Sequence, residues 1–364
     1  MNATTERVFY FGAGPAAIPA PVKQRVQAEI MDYRGTGISI MELGHRSDAF
    51  LEIVASSTAR LRALLAVPED YRILFLPGGA RAQFSLIPMN LCTSDASADY
   101  LVSGHWSAMA AREGGRYLHA NVVASSESDG FNCIPPVADW QLDSKAAYVY
   151  LTSNETIKGV ELHELPGDVD RPVVCDMTSS LMTRPVDVAR YGLIFAATQK
   201  NLGTAGLCVV ILHRELLDRS RPETPSIFNY SAQSGADSLL NTPPVISWYI
   251  TDLVLQWLED EGGLNAMAAR HRERSGKLYS VIDSSGLFFN PVSPDCRSRI
   301  NISFDIYNVD LRDIFLCEAE AAGLLALKGH QSVGGFRASL YNAMPDEGVE
   351  VLIDFIKSFE VRYG

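Results

Sequence analysis

Lys200 stands in a short polar stretch between two apolar runs, Leu193 to Ala196 and Leu207 to Leu212. An amine held at the edge of a sheet and partly shielded from water has a depressed pKa and can attack a carbonyl to form a Schiff base. The plainer alternative is a loop lysine with its head in water. Asp176 closes the apolar run Val173-Val174-Cys175, where a carboxylate can pair with a cationic ring nitrogen or cap a helix. Leu76-Pro77-Gly78-Gly79-Ala80-Arg81 passes from an apolar run into a helical pattern. Small residues there let backbone N–H groups approach an anion, although a tight turn reads the same way and neither Walker A nor G-x-G-x-x-G spacing is present. Trp106 opens a helical pattern after Asp99 to Ser103, and its face suits either stacking on a planar ring or capping a core.

These residues need a frame that brings their segments to one edge. From residue 60 to about 212 short β-rich runs alternate with helical patterns, as in a parallel α/β sheet. The predicted strands are Ile73 to Leu76, Asp99 to Ser103, Ala147 to Leu151, Pro172 to Cys175, Leu193 to Ala196 and Leu207 to Leu212. Arg81 to Leu91 and His105 to Tyr117 read as helices between them. Near-continuous apolar runs of this kind are covered on both faces, and ligands bind where such strands end. An anion cradle, a carboxylate, an indole and an amine at neighbouring strand ends make the set that pyridoxal phosphate requires. Past the Pro-rich turn Asn241-Thr242-Pro243-Pro244 the texture changes. Long helices (Ser247 to Glu259, Leu264 to Ser284) precede strands Ile300 to Phe304 and Phe336 to Leu340 and helices near Leu311 to Ala322 and Glu347 to Val361. The expected organisation is a large α/β domain over 17–255 and a small α+β domain over 256–364, with 1–16 packing on the latter.

The composition narrows the choice of partner. The 364 residues are 47% hydrophobic and 20% charged, enough apolar matter for a large core, and the formal net charge is −12 with no basic cluster. Neither nucleic acid nor an anionic membrane surface is an expected partner. No apolar run reaches membrane-spanning length and the first residues lack an export signal, so a cytoplasmic location is expected. Six scattered cysteines, without C-x-x-C pairs or adjacent histidines, read as reduced and mostly buried thiols; no metal site is expected.

Several segments in order resemble one family: Phe11 to Pro15, Gly35 to Glu42 with His45-Arg46-Ser47, Gly78 to Ala80, Asn154 to Val160, Ser180 to Tyr191, Gln199-Lys200-Asn201, Asn241 to Pro244 and Gly334 to Ala343. Along nearly its whole length the chain resembles the phosphoserine aminotransferases, fold-type I pyridoxal-phosphate-dependent transferases. The resemblance implies that Lys200 carries the cofactor covalently, Asp176 pairs with its ring nitrogen and Trp106 stacks on the ring. Ala80 and Arg81 would hold the cofactor phosphate, with Thr156 and Gln199 completing the pocket. Asn241 and Thr242 would reach the cofactor phosphate of a neighbouring subunit, making a homodimer with two shared sites. Arg46 would bind a carboxylate of glutamate, and Arg337 the α-carboxylate common to both substrates, while His45 could join the site for the substrate's phosphate. His330 and Gln331 would face the phosphate of 3-phosphohydroxypyruvate. The implied reaction moves the glutamate amino group to that acid in serine biosynthesis, with 4-phosphohydroxythreonine, in pyridoxine biosynthesis, a second substrate of some relatives.

The pattern departs from the family at several places. Gln331 stands where an arginine is usual, Thr204 where a proline is common, and Gly44 replaces a usual serine. Losing a charge-assisted contact to phosphate costs about 1.5–3 kcal/mol unless another group replaces it. The alternatives are thus a paralogous glutamate-dependent aminotransferase with another acceptor, or a fold-type I lyase. A lyase of the desulfurase kind would want a reactive cysteine on a mobile loop, and no cysteine here has that setting.

Overall fold

The computed structural model describes residues 8–165, 167 and 169–364. Seven strands form the central sheet: β1 (Tyr71–Gly78), β2 (Ser97–Val102), β3 (His119–Ser125), β4 (Val149–Thr152), β5 (Val173–Asp176), β6 (Leu193–Ala197) and β7 (Gly206–His213). Their spatial order is β1-β7-β6-β5-β4-β2-β3. From β6 to β3 every pair is parallel, whereas β7 runs antiparallel to both β6 and β1. The polar stretch between β6 and β7 is too short for a parallel crossover, so the chain turns straight back and Lys200 sits in the turn. Strand β3 escaped the sequence reading because it lies at the edge of the sheet, with His119, Val122 and Ser125 exposed, so no continuous apolar run marks it.

Helices cover both faces of the sheet. On one face Asp48–Leu64 and Val245–Asp260 bury a core in which Trp248 stacks on Phe75 at 4.6 Å and donates its indole N–H to Ser57 Oγ at 2.8 Å. On the other, Ala80–Leu91 and His105–Gly114 pack on Tyr100, Tyr148, Tyr150 and Phe195. The hydroxyls of Tyr100 and Tyr148 pair with each other at 2.8 Å, which satisfies two buried polar atoms at once.

A second core belongs to the C-terminal part. The antiparallel strands Phe288–Phe289, Asn301–Ile306 and Phe336–Ser339 pack with the helices Gly263–Ser284, Arg312–Ala321 and Asp346–Tyr363 around Phe288, Phe304, Phe315, Phe336 and Phe359. Phe9–Tyr10 pairs in parallel with Leu324–Leu325, and Phe9 and Phe11 are buried in this same core. Residues 1–7 of the N-terminal segment lie outside the described residues. Helix Gly263–Ser284 links the two cores, since Leu264 and Met267 belong to the first and Leu278 and Ile282 to the second.

Between the cores runs a seam of buried amides. Asn301 Oδ1 accepts from Asn154 Nδ2 at 2.8 Å, and Asn301 Nδ2 reaches Ser339 Oγ at 2.9 Å. Asn342 donates its backbone N–H to Asn201 Oδ1 at 3.2 Å and its side-chain N–H to the Met182 carbonyl at 2.9 Å. Asn201 follows Lys200 directly, so the seam fixes the lysine's turn against the C-terminal core. Asn301→Ala removes the side-chain hydrogen bonds to Asn154, Ser339 and Tyr341 and is expected to destabilise the protein by about 1–3 kcal/mol, read as a lower urea midpoint; a shift near zero contradicts the role given to the seam.

Candidate active site

Strands β1, β4, β5 and β6 end around a cavity of about 290 Å³ whose lining includes Ala80, Arg81, Trp106, Asp176, Gln199 and Lys200. A second space of about 540 Å³ adjoins it across Lys200 and Trp106 and reaches Ala13, Gly14, Thr156, His330 and Arg337. The crevice at the carboxyl ends of the strands, where a doubly wound sheet places its ligands, thus opens toward the small domain.

Lys200 leans on the N-terminal segment. The Ala16 N–H donates to the Gln199 carbonyl at 2.8 Å, and a Cβ built on Gly14 would lie 3.6 Å from Lys200 Cε, with the Gly14 backbone at φ +137°. Wrapped in this way, the amine is pulled down to about 8, chiefly by burial and also by Arg337, while Asp176 and Glu155 work against the shift. Asp176 ends β5 beside it and is buried; its Oδ1 accepts the Thr178 N–H at 2.8 Å. Burial pushes the Asp176 pKa up, and the Thr178 bonds and the Lys200 charge pull it back.

Trp106 is held at both ends. Its backbone N–H donates to Glu155 Oε2 at 2.9 Å, and its indole N–H donates to Thr156 Oγ1 at 2.9 Å. Glu155 Oε1 also accepts the Ser107 N–H at 2.8 Å and the Ser107 hydroxyl at 2.7 Å. A buried carboxylate from the neighbouring loop thereby satisfies the first donors of helix His105–Gly114 and fixes the plane of the indole. Only glycine fits at position 104, because any Cβ there would overlap the Glu155 carboxyl group.

The helix Ala80–Leu91 begins differently. Its N-cap Gly79 makes no side-chain cap, Gly78 has φ +111°, and a Cβ on Gly79 would meet only open space. The helix therefore turns unsatisfied N–H donors and the positive end of its dipole into the cavity at Ala80 and Arg81. Two buried oxygens in the lining, Thr152 Oγ1 and Asn154 Oδ1, also have no protein partner among the described residues. An anion cradle, a flat indole wall, a buried carboxylate and a shielded amine around one cavity fit pyridoxal phosphate feature by feature.

The structure thus brings together Ala80, Arg81, Trp106, Thr156, Asp176, Gln199, Lys200, His330 and Arg337, with Arg337 Nη1 donating to the Thr156 carbonyl at 3.1 Å. It does not bring His45, Arg46, Asn241, Thr242 or Gln331 to these cavities; Arg46, Thr242 and Gln331 are exposed. Glu155, Thr152 and Gly104 escaped the sequence reading as site residues. Their only signal was position, at the end of β4 for Thr152 and just past the ends of β4 and β2 for Glu155 and Gly104.

The family model for aminotransferase class-V matches residues 8–352. The chain belongs to the class-V aminotransferases. Among its class-V relatives, the phosphoserine aminotransferase of Hahella chejuensis is 47% identical over 357 residues, covering 98% of this chain and 99% of that one. That of Laribacter hongkongensis is 48% identical over 358 residues, with 98% and 99% covered. Of solved structures, the phosphoserine aminotransferase of Bacillus circulans subsp. alkalophilus matches with TM-score 0.96 at 40% identity over 99% of this chain and 100% of that chain. The pyridoxal-phosphate-bound enzyme of Trichomonas vaginalis matches with TM-score 0.93 at 39% identity, covering 96% and 100%. The fold is therefore the fold-type I aminotransferase fold that the sequence led us to expect, and the chain is an aminotransferase.

The Asp176 charge holds the Lys200 proton in place. In cofactor-free protein, trapping of Lys200 by a small aldehyde and borohydride is expected to rise with pH around about 8. In Asp176→Asn the midpoint moves lower, because the stabilising anion is gone. A midpoint that stays or rises, read by mass spectrometry of the lysine peptide, contradicts the coupling.

Proposed function

We propose that this aminotransferase uses pyridoxal phosphate to move an amino group between glutamate and 3-phosphohydroxypyruvate, yielding phosphoserine. The observation that carries the reading is a buried Asp176 and a shielded Lys200 lining one cavity with Trp106, in a chain 47–48% identical to relatives named for that reaction. Asp176 would keep a ring nitrogen protonated, Trp106 would cover the ring, and Ala80 and Arg81 would take the phosphate at the helix start. When bound, pyridoxal phosphate supplies a sink for the electrons released when the α-proton of the amino acid leaves.

The chain's own groups account for the proton traffic. With a pKa near 8, Lys200 Nζ is divided between amine and ammonium close to neutral pH, so it can take a proton from the substrate and return it. Arg337, half-buried beside Lys200, offers a guanidinium fork to the α-carboxylate. Burial of this kind strengthens the contact, because water competes poorly there.

Arg46, His45, Asn241 and Thr242 support a homodimer. Arg46 is exposed and has no partner among the described residues, and Asn241 Oδ1 is buried without one. Two such chains, each lending these residues to the other's cavity, would complete the cofactor-phosphate and distal-carboxylate contacts. The described helices include none long and apolar enough to cross a membrane, and a cytoplasmic enzyme is the reading that goes with this reaction.

Lys200→Ala is expected to lose transamination and the visible absorbance of the loaded protein; retained absorbance would remove Lys200 from its role. Wild-type enzyme supplied with glutamate is expected to release 2-oxoglutarate with 3-phosphohydroxypyruvate far faster than with unphosphorylated keto acids. Activity confined to an unphosphorylated acceptor, and switched to the phosphorylated one by Gln331→Arg, favours the paralogous reading instead.

A further inference from the structure

Two imidazoles meet at the rim of the site. His105 opens the helix His105–Gly114, directly before Trp106, and its ring stands edge-on to the indole at 5.3 Å and 88°. Across the crevice, the ring of His330 from the small domain lies 6.1 Å from that of His105. His330 lines the cavity with Lys200 and Arg337. The Ser332 backbone N–H donates to His330 Nδ1 at 3.2 Å, with Ser332 Oγ 2.7 Å from the same nitrogen. Nδ1 is therefore the acceptor, which leaves the ring proton on Nε2 as a free donor.

His105 has no hydrogen-bond partner among the described residues, and the charged or titratable groups facing it are His330, Arg112 of its own helix and Arg81 at the neighbouring helix start. No carboxylate is among them. A rim with this make-up repels a proton when empty and welcomes a dianion.

We propose that His105 joins His330, already expected at the phosphate end of the substrate, as a proton-taking group there, supplying the charge that Gln331 lacks. The proposal rests on the phosphorylated-substrate reading above. It requires no covalent step: the dianion enters and a proton from solvent joins it at His105. The direction of the pH dependence follows. In the free protein partial shielding of an otherwise exposed ring, together with its cationic neighbours, holds the His105 pKa low, and a bound phosphate raises it. Phosphate affinity therefore rises as pH falls through the bound pKa and levels off below the free one. Protonation of the phosphate itself, near about pH 6, sets the lower edge of the window.

The test uses enzyme fully loaded with cofactor, so that its own phosphate site is filled, and inorganic phosphate as the probe. Binding is read by calorimetry in two buffers of different ionisation enthalpy, which counts protons, and by competition with glutamate followed through the cofactor absorbance. In wild type, affinity referred to the phosphate dianion is expected to tighten by about three- to tenfold between pH 8.5 and 6.5, and the proton count, corrected for the phosphate's own protonation over that range, is expected to show net uptake. His105→Gln is expected to lose about fivefold or more in affinity at pH 6.5 and most of the pH slope. His105→Arg, whose charge does not titrate, is expected to restore affinity and leave the slope flat. With phosphoserine, His105→Gln raises KM more than it lowers kcat. Unchanged affinity, slope and proton count in His105→Gln overturn the role given to His105, even if phosphoserine is turned over. Should phosphoserine prove inert while phosphate binding still depends on His105, the substrate reading fails and that role stands.

Discussion

A buried carboxylate beside a shielded amine is the interaction on which this structure turns. Each charge alone would pay a desolvation cost of several kcal/mol, roughly, at such a place, and each lowers the cost of the other. The pair exists because β5 and β6 are parallel neighbours, with Asp176 paired to Phe195 in the register, so that both strands deliver their next residues to one edge. Reversing β7 against β6 then makes the turn short, and a short turn holds Lys200 where a longer loop would let it reach water. Sheet order, strand direction and the state of one proton are thus a single constraint.

The same constraint explains why the C-terminal core cannot be a passenger. The turn that carries Lys200 is tied through Asn201 to Asn342, and the hairpin that carries Glu155 and Thr156 is tied through Asn154 to Asn301. Both walls of the site are therefore hydrogen-bonded to the domain that brings Arg337 and His330. Amide pairs of this sort contribute modestly when intact and cost more when broken, which suits a joint whose task is registration. Glu155 works on the same principle inside the large domain, where it spends a buried carboxylate on three donors to fix the angle of one indole.

Much of this was legible in the residue pattern. Six of the seven central strands announce themselves as largely apolar runs, and the polar residues at their ends, Asp176 and Lys200, stand out against that background. What hid was of two kinds. Edge strand β3 faces water in part, so its alternation is weak, and the antiparallel direction of β7 is a matter of connection length that apolarity does not report. The supporting residues hid for another reason: Glu155 acts on Trp106 and Ser107, and leaves room only for Gly104, across segments about 50 residues apart, which no local spacing encodes. The residues expected at the substrate end divided in the same way. His330 and Arg337 reach the cavity on the chain's own small domain, while His45, Arg46, Asn241 and Thr242 lie on surfaces that one chain leaves outside it.

The charge balance shows how an acidic protein can hold anionic substrates. The formal net charge of −12 belongs to the exterior, while the crevice gathers Arg81, Arg337, Lys200, His105 and His330. The acids nearest to it are already engaged: Asp176 by Thr178 and Lys200, and Glu155 by Trp106 and Ser107. Low-dielectric walls focus the field of the remaining cations into the opening, so an approaching dianion meets a positive potential inside a negative envelope. That arrangement also favours exchange, because a product that has lost its best contacts is drawn out by no local attraction and is replaced by the next acid to reach the rim. An imidazole at the mouth is better suited to this than a permanent guanidinium. It is charged while the ligand is present and can give up the proton when the ligand leaves, so retention and release are governed by the same group.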